Sequence, residues 1–362
     1  MNIWHHIGQE IADFTTQIPS LPVSRQRSPR DVREQLEASF DFTIPVPLSE
    51  LTQRVADFLK ANTVQVTHPR YFGLFNPSVS ESGIVADTLA ALYNPQLATW
   101  SHAPAANELE RFRLRYLARS LGLDPDTTFA NFTSGGLEAN MSAVLVALAR
   151  RSPRWAEEGL RGLEPTPVNY LTGESHHSFL KIVRTTGLGA NALCEVPTTA
   201  DFRFDVSSLR QQPRTDASGG RCPLMIVGTA GTTGGGTVDP LMSLADVAEE
   251  SGAWFHVDAA WGGAAAMVPR LRPALSGIER ADSVTWDAHK WLSVPMSAGM
   301  FFCSHPEAVR RAFDVSTSYM PAGAGAATTD PYMTTVQWSR AAWRSERRPL
   351  SAWPGRARDR EV

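Results

Sequence analysis

Short apolar runs alternate with longer amphipathic stretches through most of this chain. From residue 168 the runs fall at 168–172, 193–196, 224–229, 253–258, 283–286 and 299–303, with helical patterns such as 241–251 between them. Runs this short, rich in β-branched and aromatic residues and separated by helices, predict a mostly parallel sheet covered on both faces, an α/β fold. An earlier apolar segment begins at Phe129 and runs into Thr133, Ser134, Gly135 and Gly136, after which 137–151 is strongly helical. No internal repeat is evident.

The first 65 residues read as helical and peripheral, with a Pro/Arg-rich interruption at 18–29. Within them Leu48, Leu51, Val55, Phe58 and Leu59 share one helical face, which must pack on its own domain or on a second copy of the chain. The aromatic stretch 68–77 is broken by Gly73 and two prolines and predicts a loop or short extended segment. Pro104 suits the start of a long helix, with Leu109, Phe112, Tyr116 and Leu117 as its buried stripe. The organisation expected is a helical segment at 1–65, a large domain at 66–315 and a distinct final region at 316–362.

Composition narrows the field. Hydrophobic residues make up 43% of the 362 residues, which excludes a fully disordered chain and allows a large core. A formal net charge of −3 gives no general attraction to nucleic acid or to an anionic membrane, so the expected partner is a small molecule. Cys194, Cys222 and Cys303 are odd in number, widely spaced and without a CxxC pair. That argues against a disulfide framework and a structural zinc site, and for reduced thiols in a cytoplasmic protein. Residues 1–20 carry Glu10 and Asp13 and lack the apolar core of a signal peptide, and no stretch is apolar enough for a membrane span.

Two acid–base residues stand out against this background. Lys290 is one of three lysines beside 31 arginines, and it follows a β-like run. An amine kept amid such a bias suggests a role that arginine cannot fill, that of a nucleophile forming a Schiff base. Asp258 ends the apolar run that begins at Ala253, the expected place for a carboxylate at the C-terminal edge of a parallel sheet. A lysine and an aspartate so placed are the pair that pyridoxal phosphate needs, one to hold its aldehyde and one to keep the ring nitrogen protonated. The turn at Ser134, Gly135 and Gly136 opens a helix, and free N–H groups with a positive dipole end there suit a phosphate. The Gly/Thr-rich stretch 228–239 has neither the P-loop nor the dinucleotide spacing, and Asp239 is expected to cap the helix after it.

Asp258-Ala-Ala-Trp-Gly-Gly, followed by Asp287-Ala-His-Lys290-Trp, resembles the pyridoxal-phosphate-dependent amino-acid decarboxylases of the aromatic-amino-acid and glutamate decarboxylase group, over about residues 68–340. The resemblance implies the fold type I architecture of PLP-dependent transferases, pyridoxal 5'-phosphate in the large domain, decarboxylation of an L-amino acid, and a homodimer. It implies that His177 stacks on the pyridine ring, with His176 as the other choice of register. It also places Thr233, Ala260 and His289 beside the cofactor, and Phe75 and Asn76 in the substrate pocket. The family usually carries Ser or Thr where this chain has Leu137, so phosphate binding would rest more on backbone amides and Ser134. The Pro- and Gly-containing stretch 321–330 resembles the family's mobile active-site loop but holds no tyrosine. The arginine-rich stretch after Arg340 departs from the family pattern, as an altered gene end or a natural basic tail would. An aminotransferase or carbon–carbon lyase would use the same lysine, aspartate and turn, and a non-catalytic relative would also keep them.

Overall fold

The structure, a computed structural model, describes residues 2–41, 43–73, 78–315, 317 and 329–341. The chain divides into two compact units, residues 1–79 and 80–362.

The described residues of the first unit include the α-helices Ile3–Gln17 (α1), Pro29–Ser39 (α2) and Leu48–Asn62 (α3). A capping box starts α2: the Ser28 hydroxyl accepts from the Asp31 N–H, and the Asp31 carboxylate accepts from the Ser28 N–H. Phe40 and Phe58 meet edge to face, with ring centroids 6.3 Å apart. The stripe expected on α3 is exposed at Leu48, Leu51, Val55 and Leu59.

The second unit is built on a seven-stranded sheet. Its strands are Phe129–Thr133 (β1), Thr166–Leu171 (β2), Leu193–Glu195 (β3), Arg221–Thr229 (β4), Trp254–Asp258 (β5), Ser283–Asp287 (β6) and Gly299–Cys303 (β7), in spatial order β1-β7-β6-β5-β4-β2-β3. Neighbours are parallel except that β7 runs antiparallel to both β1 and β6. The α/β expectation therefore holds, and each strand foreseen in the pattern is present. Helices Glu81–Tyr93 (α4), Pro104–Leu121 (α5), Gly136–Arg151 (α6), Trp155–Glu158 (α7), Ser178–Thr185 (α8), Val206–Ser218 (α9), Leu241–Ser251 (α10) and Pro306–Phe313 (α11) complete the unit.

Alternate strand residues feed two separate cores, as the two-residue period of a strand requires. Met225, Val227, Phe301 and Cys303 pack with Ala143, Val144, Ala147 and Leu148 of α6, Phe179 and Ile182 of α8 and Val309 of α11. Ile226, Phe255, Val257, Trp286, Met300 and Phe302 pack on the other face with Leu114 and Leu121 of α5, Leu209 of α9 and Leu241 and Leu244 of α10. No described helix is long and apolar enough to cross a membrane.

Two sequence expectations need correction. Helix α5 does start at Pro104, but it buries Asn107, Leu114, Leu117, Ala118 and Leu121, while Leu109, Phe112 and Tyr116 are exposed. Two apolar stripes exist on this helix, and the sheet covers only one. Asp239 does not cap α10, whose N-cap is Pro240. Its carboxylate instead accepts from the Thr229 and Phe204 N–H groups, each at 2.8 Å, tying the end of β4 to the segment before α9.

Candidate active site

The site forms where the parallel strands end. Because side chains alternate, Trp254, His256 and Asp258 of β5 all project toward the α6 and α8 face, and so do Ser283, Thr285 and Asp287 of β6. Strand register sets Asp258 between Thr229 of β4 and Thr285 of β6. The hydroxyls of Thr229 and Thr285 are buried and have no hydrogen-bond partner among the described residues. The Asp258 carboxylate is buried and accepts at both oxygens, from the Ala260 N–H at 3.1 Å and from Asn140 Nδ2 at 2.8 Å. Asn140 lies in the first turns of α6, and its Nδ2 also reaches Ser178 Oγ at 3.3 Å. One amide thus joins the aspartate to the start of α8.

The turn before α6 is shaped by close approach. Gly135 takes φ 155°, a conformation that side chains disfavour. A Cβ on Gly136 would lie 2.9 Å from Asp287 Oδ2, and one on Gly299 would lie 2.5 Å from the Gly135 carbonyl carbon. Glycine at these points lets the end of β6 and the start of β7 reach the turn. Glu138 secures it from behind, its Oε2 accepting from the Ser134 N–H and from Gln337 Nε2, each at 2.8 Å. Leu137 is exposed at the first helical positions.

Lys290 follows β6 in a turn, and its Nζ lies 3.1 Å from Asp287 Oδ2. Asp287 is buried, and its Oδ1 has no partner among the described residues. Burial pushes its carboxyl above the usual carboxylate range, against the opposing pull of the Lys290 and His289 charges. His289 Nδ1 accepts from the Ala298 N–H at 3.1 Å, so a neutral ring carries its proton on Nε2, the atom 3.7 Å from Asp287 Oδ2.

Of the residues singled out in the sequence, Ser134, Gly135, Gly136, Asp258, Ala260, His289 and Lys290 therefore converge on one strand edge. His177 is exposed at the N-cap of α8, next to Ser178, and His176 is committed locally, its Nδ1 accepting from the Ser178 N–H at 3.2 Å. Thr233 is exposed in the loop after β4, where a Cβ on the neighbouring Gly234 would lie 3.4 Å from Glu174 Oε2. Phe75, Asn76 and nearly all of the loop at 321–330 lie outside the described residues, as does the tail from 342. Sequence reasoning passed over Asn140, Glu138, Asp287 and His256. The signal available was a polar residue at a position that the period assigns to the core: Asn140 on the apolar side of α6, and His256 two residues before Asp258.

Comparison with known proteins follows the same lines. The family profile described as the pyridoxal-dependent decarboxylase conserved domain matches residues 29–347. Tryptophan decarboxylase TDC1 of Camptotheca acuminata is 32% identical over 321 residues, covering 87% of this chain and 63% of its own length. Tyrosine decarboxylase of Oryza sativa subsp. japonica is 32% identical over 322 residues, covering 87% of this chain and 60% of its own. The chain thus spans less than two thirds of the length of these relatives. The crystal structure of Oryza sativa TDC with PLP and tryptamine superposes with a TM-score of 0.86 at 28% identity, covering 93% of this chain and 71% of that one.

Proposed function

This chain belongs to the pyridoxal-dependent decarboxylase family, and we propose that it binds pyridoxal 5'-phosphate and removes the α-carboxylate of an L-amino acid as carbon dioxide. The observation that carries the reading is the convergence of Asp258, Lys290 and the Gly135-Gly136 turn at one strand edge. The donor set fits that cofactor. A buried carboxylate suits a protonated ring nitrogen, and an amine suits an aldehyde. The N-terminus of α6 with the Nε2–H of His289 suits a phosphate, and the unpartnered Thr229 and Thr285 hydroxyls leave donors beside Asp258.

When bound, pyridoxal phosphate supplies an electron-withdrawing ring that stabilises the negative charge left on the substrate α-carbon. The protein's own part is positioning and electrostatics. Asp258, fixed by Ala260 and Asn140, holds a proton at the ring nitrogen. Lys290 would hold the cofactor's aldehyde through its Nζ, the amine that Asp287 keeps at the strand edge. His177, at the N-cap of α8, would stack on the ring face. Ser134, Thr233 and Ala260 would complete the cofactor's surroundings. The cofactor-binding domain expected at 66–315 then falls, from residue 80 on, in the second unit.

The substrate is an L-amino acid, and the tryptophan and tyrosine named for the relatives make aromatic ones the first to test. A second copy of the chain completes the enzyme. Support comes from the apolar residues that α4 and α5 expose, Leu89, Leu92 and Tyr93 on one and Leu109, Phe112 and Tyr116 on the other, since soluble surfaces seldom leave so many uncovered. The unbridged cysteines support a reducing, cytoplasmic setting. The deciding experiment follows carbon dioxide release and keto-acid formation in parallel on a panel of aromatic and acidic amino acids. Carbon dioxide with the matching amine is expected; keto acid in its place makes the protein an aminotransferase.

A further inference from the structure

His256 is completely buried in β5 and is bonded at both ring nitrogens. We propose that it is a positioning residue for Asp258, acting through Asn140: its Nε2–H fixes which way the Asn140 amide faces, and so fixes a donor on the aspartate. The proposal rests on the cofactor reading above, in which Asp258 must stay ionised opposite a ring nitrogen.

Trp254 Nε1 can only donate, and it gives its proton to Ser283 Oγ at 2.8 Å. Ser283 Oγ also lies 2.8 Å from His256 Nδ1, and with the indole proton already received its own proton is free to be donated there. At the other end, Asn140 Nδ2 faces Asp258 Oδ2, and an ionised carboxylate only accepts. Asn140 Oδ1 therefore faces His256, 3.0 Å from Nε2, and this nitrogen must carry the proton. Every bond in the chain then points the same way, from Trp254 through Ser283, His256 and Asn140 to Asp258. Turning the Asn140 amide over would set its oxygen against the carboxylate and its NH2 against the imidazole N–H. Burial, the largest influence on His256, lowers its pKa to about 4 and keeps the ring neutral at neutral pH, as this order of bonds requires. The chain spans β5, β6 and α6, so it also ties the aspartate to the packing of the sheet on its helix.

Without the imidazole donor, Asn140 Oδ1 is left buried and unpaired and the amide is free to turn. Phenylalanine at 256 removes the donor while keeping a flat ring, and glutamine restores a side-chain N–H. The test has two arms. In cofactor-free protein with 15N-labelled histidine, the ring signals of His256 should show a proton on Nε2 and none on Nδ1 at neutral pH; the opposite tautomer would overturn the proposal without any variant. In the second arm, pyridoxal phosphate is titrated into wild-type, His256→Phe and His256→Gln proteins. His256→Phe should bind about tenfold more weakly, the effect of losing one hydrogen bond that serves a charged group, and His256→Gln should recover most of that loss. Equal affinities for the two variants would mean that His256 only fills space. Should His256→Phe fail to fold, the tautomer read in the wild-type protein still decides. Wild-type protein that takes up no pyridoxal phosphate would sink the functional reading alone, since the tautomer is read without cofactor.

Discussion

Lys290 Nζ sits 3.1 Å from Oδ2 of Asp287, a carboxylate buried where β6 ends. A lysine free to sweep through solvent would spend little time near one point. This pairing, with two residues between amine and carboxylate in a tight turn, holds the nitrogen at the strand edge beside the glycine turn. Replacing Lys290 with alanine should leave the cofactor without a covalent anchor. After borohydride treatment, wild-type protein should carry reduced cofactor on the peptide containing Lys290, and Lys290→Ala should carry none. Label found on Lys60 or Lys181 would assign the anchoring role elsewhere.

Asp258→Asn keeps the side-chain shape but only one acceptor oxygen, so asparagine can accept from Ala260 or from Asn140 but not from both. It cannot hold a proton on a ring nitrogen, so turnover should fall by on the order of a hundredfold or more while cofactor is retained. Carbon dioxide release measured with saturating cofactor checks this, and undiminished turnover would remove Asp258 from the mechanism.

Leu137→Ser places a hydroxyl at the exposed start of α6, on the turn assigned to the phosphate. One added hydrogen bond of ordinary strength should tighten pyridoxal phosphate binding by about 1 kcal/mol. Fluorescence titration reads the change; an unchanged or weaker affinity would move the phosphate away from this helix start.

His256 also predicts how stability responds to pH. Its folded-state pKa is depressed to about 4 by burial, against an ordinary value of 6.5. Between these values the unfolded chain binds a proton that the folded chain refuses, so the unfolded state gains as pH falls. Stability should therefore be complete above about pH 6.5 and decline toward pH 4, with this one group accounting for up to about 3 kcal/mol. Denaturant unfolding of wild type and His256→Gln at pH 7 and pH 5 isolates the contribution. The wild type should lose more than the variant on acidification, and parallel losses would show that His256 is not the source.

Arg340 and Glu110 form a buried ion pair at 2.7 Å, and the arginine also donates to the Phe132 carbonyl at 3.2 Å. The pair fastens the segment after residue 329 to α5 and β1. Arg340→Leu would strand the glutamate charge inside the protein and should cost about 3–5 kcal/mol, whereas replacing both partners with apolar residues should cost far less. Urea unfolding of the single and double variants tests the difference.

Much of this architecture is written locally. Strand period and β-branched runs are properties of consecutive residues, and so the sheet, the placing of Asp258 and Lys290 at strand ends, and the glycine turn before α6 could all be read from the chain. The decarboxylase resemblance lay in the same contiguous motifs. What could not be read depends on which surfaces meet. Helix α5 carries two apolar stripes, and nothing along its own length says which one the sheet will cover. Asp239 had the right spacing to cap α10, yet the fold turns its carboxylate toward Thr229 and Phe204. Asn140 reaches Asp258 across 118 residues of sequence, and His256 reaches Asn140 across 116. Such pairings are made by the docking of α6 on the sheet, because a buried polar group takes its partner from whatever the packing brings within 3 Å, and sequence spacing carries no record of that.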